Sequence, residues 1–333
     1  MKVHISMSHS LVALLLVMTC LSCNMSRVWA TAQWLEVRQH QKRLNKPVVK
    51  SIKSPDGDII DCVHISHQPA FDHPLLKNHT IQMRPSFYPI GLYDENKVAS
   101  KMERSSARQL WHQNGRCPED TIPIRRTNKD DVLKATSAER YGKKRHGTIP
   151  NPTSAHPNRD GGGYEADNYE SIGCYNLRCS GFVQVNKDIA LGATIHPISI
   201  YDGAQYDITI LIWKDPKSGN WWLQYGNRYP LGYWPPALFP YLHDSASEIQ
   251  WGGEVLNLNV NGQHTTTEMG SGHYPEKGFR RASFFRNFLI VDRSNKLQTP
   301  KHDEKEVTRI ESYDLLKDYD GGFFYGGPGV DPN

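Results

Sequence analysis

After residue 30 the sequence has no apolar run long enough to cross a bilayer. It has no HExxH pair, no phosphate-cradling P-loop and no dinucleotide fingerprint. Zinc-peptidase, nucleotide-hydrolase and nicotinamide chemistry are therefore set aside, and no cofactor is expected. Fifteen histidines are scattered without paired metal spacing, and Cys174 and Cys179 have no His or Cys partners at finger-like distances, so no metal is expected either. Long helical patterns are scarce. Gly and Pro together supply 47 residues, which favours turns and short strands. A net charge of +4 over 333 residues is too small to point to a nucleic-acid partner.

That charge is unevenly spread. Thr31 to Arg145 holds 21 Lys/Arg against 13 Asp/Glu, and His146 to Asn333 holds 16 against 22. Two stretches of opposite sign predict a first module that docks on a second. At the N-terminus, Lys2 precedes the apolar run Leu11 to Leu21, and small and polar residues follow to Ala30. This run is short for a membrane span, so it reads as a cleaved signal peptide (1–30) rather than a signal anchor. The expected product is secreted, extracellular and off the membrane. Cys20 and Cys23 would leave with the signal. Cys62, Cys117, Cys174 and Cys179 would remain, an even set suited to two disulfides in any of three connectivities. Asn78-His79-Thr80 is a candidate N-glycosylation acceptor.

Residues 31–128 read as a first module, with an amphipathic opening (Trp34, Leu35, Val37, Leu44) and a Pro-rich middle at 67–76. Residues 129–168 are polar and rich in Gly and Pro, and read as a linker. Its basic 143–145 run is either a processing site or plain solvated linker. From 169 to 333, apolar runs recur between turn signals: 181–186, 193–201, 206–215, 220–226, 248–260 and 284–292. Tyr206, Ile208, Ile210 and Ile212 alternate with Asp207, Thr209 and Leu211, and Asp215 to Asn220 has hairpin-turn chemistry. The expected fold class is all-β, an antiparallel sandwich or barrel. The aromatic set Trp213, Trp221, Trp222, Tyr225, Tyr233, Trp234 and Trp251 fits either core packing or a peptide- or glycan-binding groove. Ser271 and His273, two apart, read as a satisfied turn rather than part of a triad.

Ordered blocks of this second half resemble the neprosin family of plant glutamic peptidases. They run from Gly173-Cys174-Tyr175-Asn176-Leu177 and Cys179-Ser180-Gly181-Phe182 through Gln205 to Pro216, Asn220 to Leu223 and Gly232 to Pro235. They continue with Gly252-Gly253-Glu254, Met269 to His273 and Tyr325 to Gly329. The first module resembles the family's propeptide at Ile60-Asp61-Cys62, Gln68 to Leu76, Gln109-Leu110-Trp111, Cys117-Pro118 and Thr121 to Arg126. The resemblance implies a β-sandwich preceded by a smaller propeptide-like module. It also implies cleavage after proline by two glutamates, with a proline-containing peptide as substrate. With the separate modules it implies the pairs Cys62–Cys117 and Cys174–Cys179.

Hydrolysis by two carboxylates needs one ionised group to activate water and one protonated group to donate or polarise. Glu254 matches one family glutamate, in the strand-like run 250–260 beside two glycines. Taken without the resemblance it would be an ordinary solvent-facing strand residue. The family's other glutamate lies in a Glu-Ala-Gly-Trp motif that occurs nowhere here; only some 30 low-complexity residues, Arg145 to Ile172, fill that interval, and Glu165-Ala166-Asp167 is a poor match. Real loss and an incomplete gene model both account for this. The expectation is a neprosin-like protein of weak or no peptidase activity, with a non-catalytic peptide- or glycan-binding protein as the alternative. Glu248, Glu268 and Asp207 are acids that could replace the missing partner.

Overall fold

Short β-prone runs between turn residues fold as short strands in the computed structural model, which describes residues 38, 41–42, 44–92, 108–128, 177, 179–226, 229–239, 241–255, 264–301, 303–318 and 321–330. The signal-like run, the 129–168 stretch and Cys174 lie outside the described residues. The chain divides into two compact units, Met1–Asn45 with Thr127–Tyr141, and Lys46–Arg126 with Gly142–Asn333. In the smaller unit Arg38, Gln41, Lys42 and Leu44 are helical. There the Asn45 side chain accepts from the Thr127 amide and donates to the Thr127 carbonyl, each at 3.0 Å. Trp34, Leu35 and Val37 lie outside the described residues.

The larger unit is all-β and antiparallel. Its first sheet joins β1 (Val48–Lys53), β2 (Ile59–His64) and β4 (Thr121–Arg125) in the order β1-β2-β4, while β3 (Arg108–Gln109) pairs with β6 (Ile195–His196). Pro123 has no amide proton to give, and it sits on β4, an edge strand, opposite Cys62. A four-stranded sheet takes β5 (Val183–Gln184), β9 (Tyr229–Trp234), β8 (Trp221–Tyr225) and β7 (Ile210–Lys214), in that order. The β7–β8 hairpin closes through Asp215, whose amide donates to the Asn220 carbonyl at 2.9 Å. Further on, β10 (Ser283–Phe285), β14 (Phe323–Gly326) and β13 (Asp314–Lys317) form a third sheet, and β11 (Ile290–Val291) pairs with β12 (Leu297–Gln298).

Two sequence expectations need correction. No strand covers 248–255; Gly253 packs closely against Tyr325 and Met269 instead of extending a ladder. The 284–292 run splits into β10 and β11 around Asn287, which has φ 55°. One strand, β9, was hidden by its own Pro230 and Gly232. Pro230 is accommodated at a register shift between Leu223 and Gln224, and Gly232 is needed because a Cβ there would collide with Val183 and Gln184 backbone.

The main core lies where the two halves of the larger unit meet. Val63, Ala70, Leu76, Ile122 and Ile124 pack in one cluster with Phe182, Trp213, Trp222, Tyr233 and Trp234. Burial of apolar surface drives this association, at roughly 25 cal/mol per Å². A second cluster surrounds the disulfide Cys62–Cys117, with Ile52, Ile60, Trp111 and Ala190. No helix among the described residues is long and apolar enough to cross a membrane.

Candidate functional site

Glu254 is exposed, on an irregular stretch that is pinned from one side. A Cβ on Gly253 would lie 2.6 Å from Tyr325 Cε2 and 2.8 Å from Met269 Sδ, so only glycine lets this backbone approach β14 so closely. Behind it runs an aromatic floor. Trp251 meets Phe288 at 5.4 Å between ring centroids, Phe288 meets Phe323 at 6.0 Å, and Phe285 touches both Phe323 and Tyr325. Met269 ties the same area together by bridging to Gly327. Glu254 is thus presented to solvent from the rim of an apolar platform.

Two of the acids that could join it have partners of their own. Asp207 is ion-paired with Arg286. Glu248 Oε1 accepts from the Gln250 side-chain Nε2 at 2.6 Å. The Glu268 carboxyl group lies against Gly272. Ser271 donates to the Arg281 carbonyl at 2.8 Å, and the His273 ring packs on Tyr201 at 4.6 Å, so the two do not act on each other. Among the described residues no three His, Cys, Asp or Glu side chains come together as a metal site would need.

The other candidate residues are placed as follows. Cys62 and Cys117 are bonded at 2.02 Å, and Cys179 is also disulfide-bonded. Asn78 is exposed on a turn. Trp213, Trp222, Tyr233 and Trp234 are at most 1% exposed and Trp221 8%, which makes them core, while Tyr225 and Trp251 are half-buried.

A second polar constellation had no sequence forecast beyond a turn. Glutamines of the N-terminal segment clamp backbone of the C-terminal segment. Gln68 accepts from the Gln184 amide at 2.7 Å and donates to its carbonyl at 3.1 Å. Gln109 accepts from the Ala190 amide at 2.8 Å and donates to its carbonyl at 2.7 Å, while Trp111 Nε1 donates to the same Gln109 oxygen. The carboxylate of Asp215, fully buried, accepts from the Ser86 amide at 2.7 Å and from the Gln82 side chain at 3.2 Å. Burial pushes its pKa up, but the Ser86 and Lys217 amides, the Ser218 hydroxyl and Gln82 outweigh that and hold it below the usual carboxylate value. Burial pushes the Tyr233 hydroxyl up to about 12, so it keeps its proton. It accepts from the Gln82 amide at 2.8 Å, leaving its own proton for His79 Nε2, 2.8 Å away. Burial lowers the pKa of His79, in keeping with a neutral ring that accepts this bond.

Residues 161–328 match the sequence model of the neprosin family, and residues 51–168 match that of the neprosin activation peptide. The activation-peptide match takes in Gln68, Gln82 and Gln109, so the clamps are made by this segment on the domain that follows it. With half of its length matched by the domain and most of the preceding part by the activation peptide, this chain belongs to the neprosin family.

Proposed function

We propose that this chain is a secreted, extracellular neprosin-family protein that binds proline-containing peptides and cleaves them weakly or not at all. Its activation-peptide segment acts as a built-in cover. The observation that carries the reading is the state of the acids. The motif around Glu254 resembles that of a family glutamate, Glu-Ala-Gly-Trp occurs nowhere in the sequence, and Asp207 and Glu248 are engaged with Arg286 and Gln250. A water-activating pair needs two carboxyl groups that share one water or one scissile bond. Glu254 alone offers half of that machinery. Secretion is supported by the N-terminal apolar run and by the Cys62–Cys117 disulfide, since such bonds persist in oxidising compartments. The docked first module, with the exposed pairs Lys187–Glu119 and Arg116–Asp188 at its border, fits the propeptide role.

The test is direct. Express the chain without residues 1–30, incubate it in acid, and offer a proline-containing peptide with mass-spectrometric readout. The expected result is little or no cleavage after proline. Efficient cleavage that Glu254→Gln abolishes would show that another carboxyl group serves as partner, and would return the chain to the active peptidases.

A further inference from the structure

The activation-peptide segment crosses the β7–β9 face without joining its ladder. From His79 to Tyr88 the backbone forms no strand, and four of its polar groups are met by side chains. Tyr233 takes the Gln82 amide and Asp215 takes the Ser86 amide. Trp213 Nε1 donates to the Phe87 carbonyl at 3.1 Å, and Asn295 Nδ2 donates to the Tyr88 carbonyl at 3.0 Å. At its end Ile90 exchanges backbone bonds with Asn295 and Leu297. The Tyr88 ring stacks on Trp213, 5.7 Å between centroids. Pro85 and Pro89 are buried, while Met83, Arg84, Ser86, Phe87 and Ile90 face solvent. Main-chain groups held by fixed side chains, with the prolines turned inward and the pairs Met83-Arg84 and Ser86-Phe87 turned outward, suit a bound extended, proline-containing peptide.

One side chain is read in detail. The Gln82 primary amide donates to Asp215 Oδ2 at 3.2 Å and its oxygen accepts from Asn220 Nδ2 at 2.6 Å. Asp215 and Asn220 are 0% and 5% exposed, and both are fixed by the hairpin turn they close. A carboxylate acceptor beside an amide donor is complementary to a carboxamide and to little else. Glutamate would place a second carboxylate against Asp215. Asparagine is one methylene short, and an apolar residue removes the acceptor that Asn220 Nδ2 uses and one of the donors to Asp215.

We propose that the mouth of the β7–β8 hairpin is a glutamine-reading subsite for an extended peptide of the form Gln-x-x-Pro-x-x-x-Pro, occupied here in cis by residues 79–90. Asp215 and Asn220 read the carboxamide, Tyr233 and Trp213 hold the main chain, and a peptide in trans takes the same place when the segment leaves. The biological sense of this rests on the peptide-binding reading above. Its test does not, because affinity is measured without any cleavage.

The probe is a synthetic peptide of residues 79–90, labelled for fluorescence anisotropy. In the full chain, Gln82→Ala with Tyr88→Ala weakens the occupant and leaves the groove intact. The labelled peptide should bind this variant saturably and at least tenfold tighter than it binds the unaltered chain. The same peptide carrying Gln82→Glu should bind the variant at least tenfold more weakly. Equal affinity of the two peptides would overturn the glutamine subsite. Absence of saturable binding to a variant with the parent's near-UV circular dichroism would overturn the groove. If that variant does not fold, hydrogen exchange on the unaltered chain decides: millimolar peptide should speed exchange at the amides of Gln82, Ser86 and Ile90, and unchanged protection there would refute displacement.

Discussion

The seam between the activation-peptide segment and the β5–β9 sheet, and the rim that carries Glu254, belong to one compact unit but are built in opposite ways. At the seam, polar groups are buried and answered one by one: Gln68 by Gln184, Gln109 by Ala190, Gln82 by Asp215 and Asn220. At the rim, Gly253 packs on Tyr325 and Met269 next to an exposed carboxylate, in backbone that belongs to no strand. Buried directional bonds make substitution costly, whereas an exposed side chain is constrained only by what it does. The segment at the seam is thus more tightly specified than the exposed carboxylate at the rim. Aromatic and aliphatic groups form the centre of the seam, and the exposed pairs Lys187–Glu119 and Arg116–Asp188 lie at its border.

The largest break in this comparison should come from the shared core. Trp222 is completely buried between Trp213 and Tyr233, at ring separations of 6.4 and 4.7 Å. Trp222→Ala should cost roughly 3–5 kcal/mol, the usual loss for a large aromatic truncated in a packed core. Urea unfolding followed by far-UV circular dichroism measures it. A loss under about 1 kcal/mol would mean that the core is not continuous across the seam.

Next is a clamp. Gln109→Leu removes the partner of the Ala190 amide, the Ala190 carbonyl and the Trp111 indole at once. The loss should be roughly 1–3 kcal/mol for each buried group left unpaired, reduced where water enters. A neutral Gln109→Leu substitution, judged by the same unfolding curves, would show that these bonds are replaceable.

How much of this could be read beforehand follows from the same contrast. The β7–β8 hairpin was legible because its alternation and its Asp-Pro-Lys-Ser-Gly-Asn turn are local signals. Strand β9 was not, because its Pro and Gly are tolerated only by a bulge and a close neighbour distant in sequence. The 248–255 run has strand-like composition, yet tertiary packing of Gly253 decides its path. Asp215 could be seen as a turn opener, but not as the acceptor for a segment some 130 residues earlier. Glu254 stood out only through the family motif around it. Nothing in its local sequence distinguishes it from any exposed acid.

Acid should sharpen the comparison by loosening the seam. A group whose pKa is lower in the docked state binds more protons once released, so its stabilisation is full above its ordinary pKa and is lost as pH falls through the window below. For His79, depressed by burial from the usual 6.5, loss begins near pH 6.5. For Asp215, where burial raises the pKa but its hydrogen bonds prevail, loss begins near the usual 3.8. Hydrogen-exchange protection of residues 79–90 should therefore fall in two stages on acidification. His79→Gln should remove the first stage and keep the second. Protection that rises between pH 7 and 5 would reverse the sign and refute the scheme.

The smallest effect is expected at Glu254. An exposed carboxylate on an irregular rim contributes little to folding, so Glu254→Gln should shift stability by less than about 0.5 kcal/mol in either direction. The carboxamide keeps the volume and shape of the side chain, so Gly253 can stay packed on Met269 and Tyr325. A large loss of stability would place Glu254 in the framework of the domain and weaken its assignment as a functional group. An unchanged unfolding midpoint with altered peptide turnover or peptide affinity would separate the two regions cleanly. The rim would then act on a peptide without holding the fold, whereas the seam does hold it.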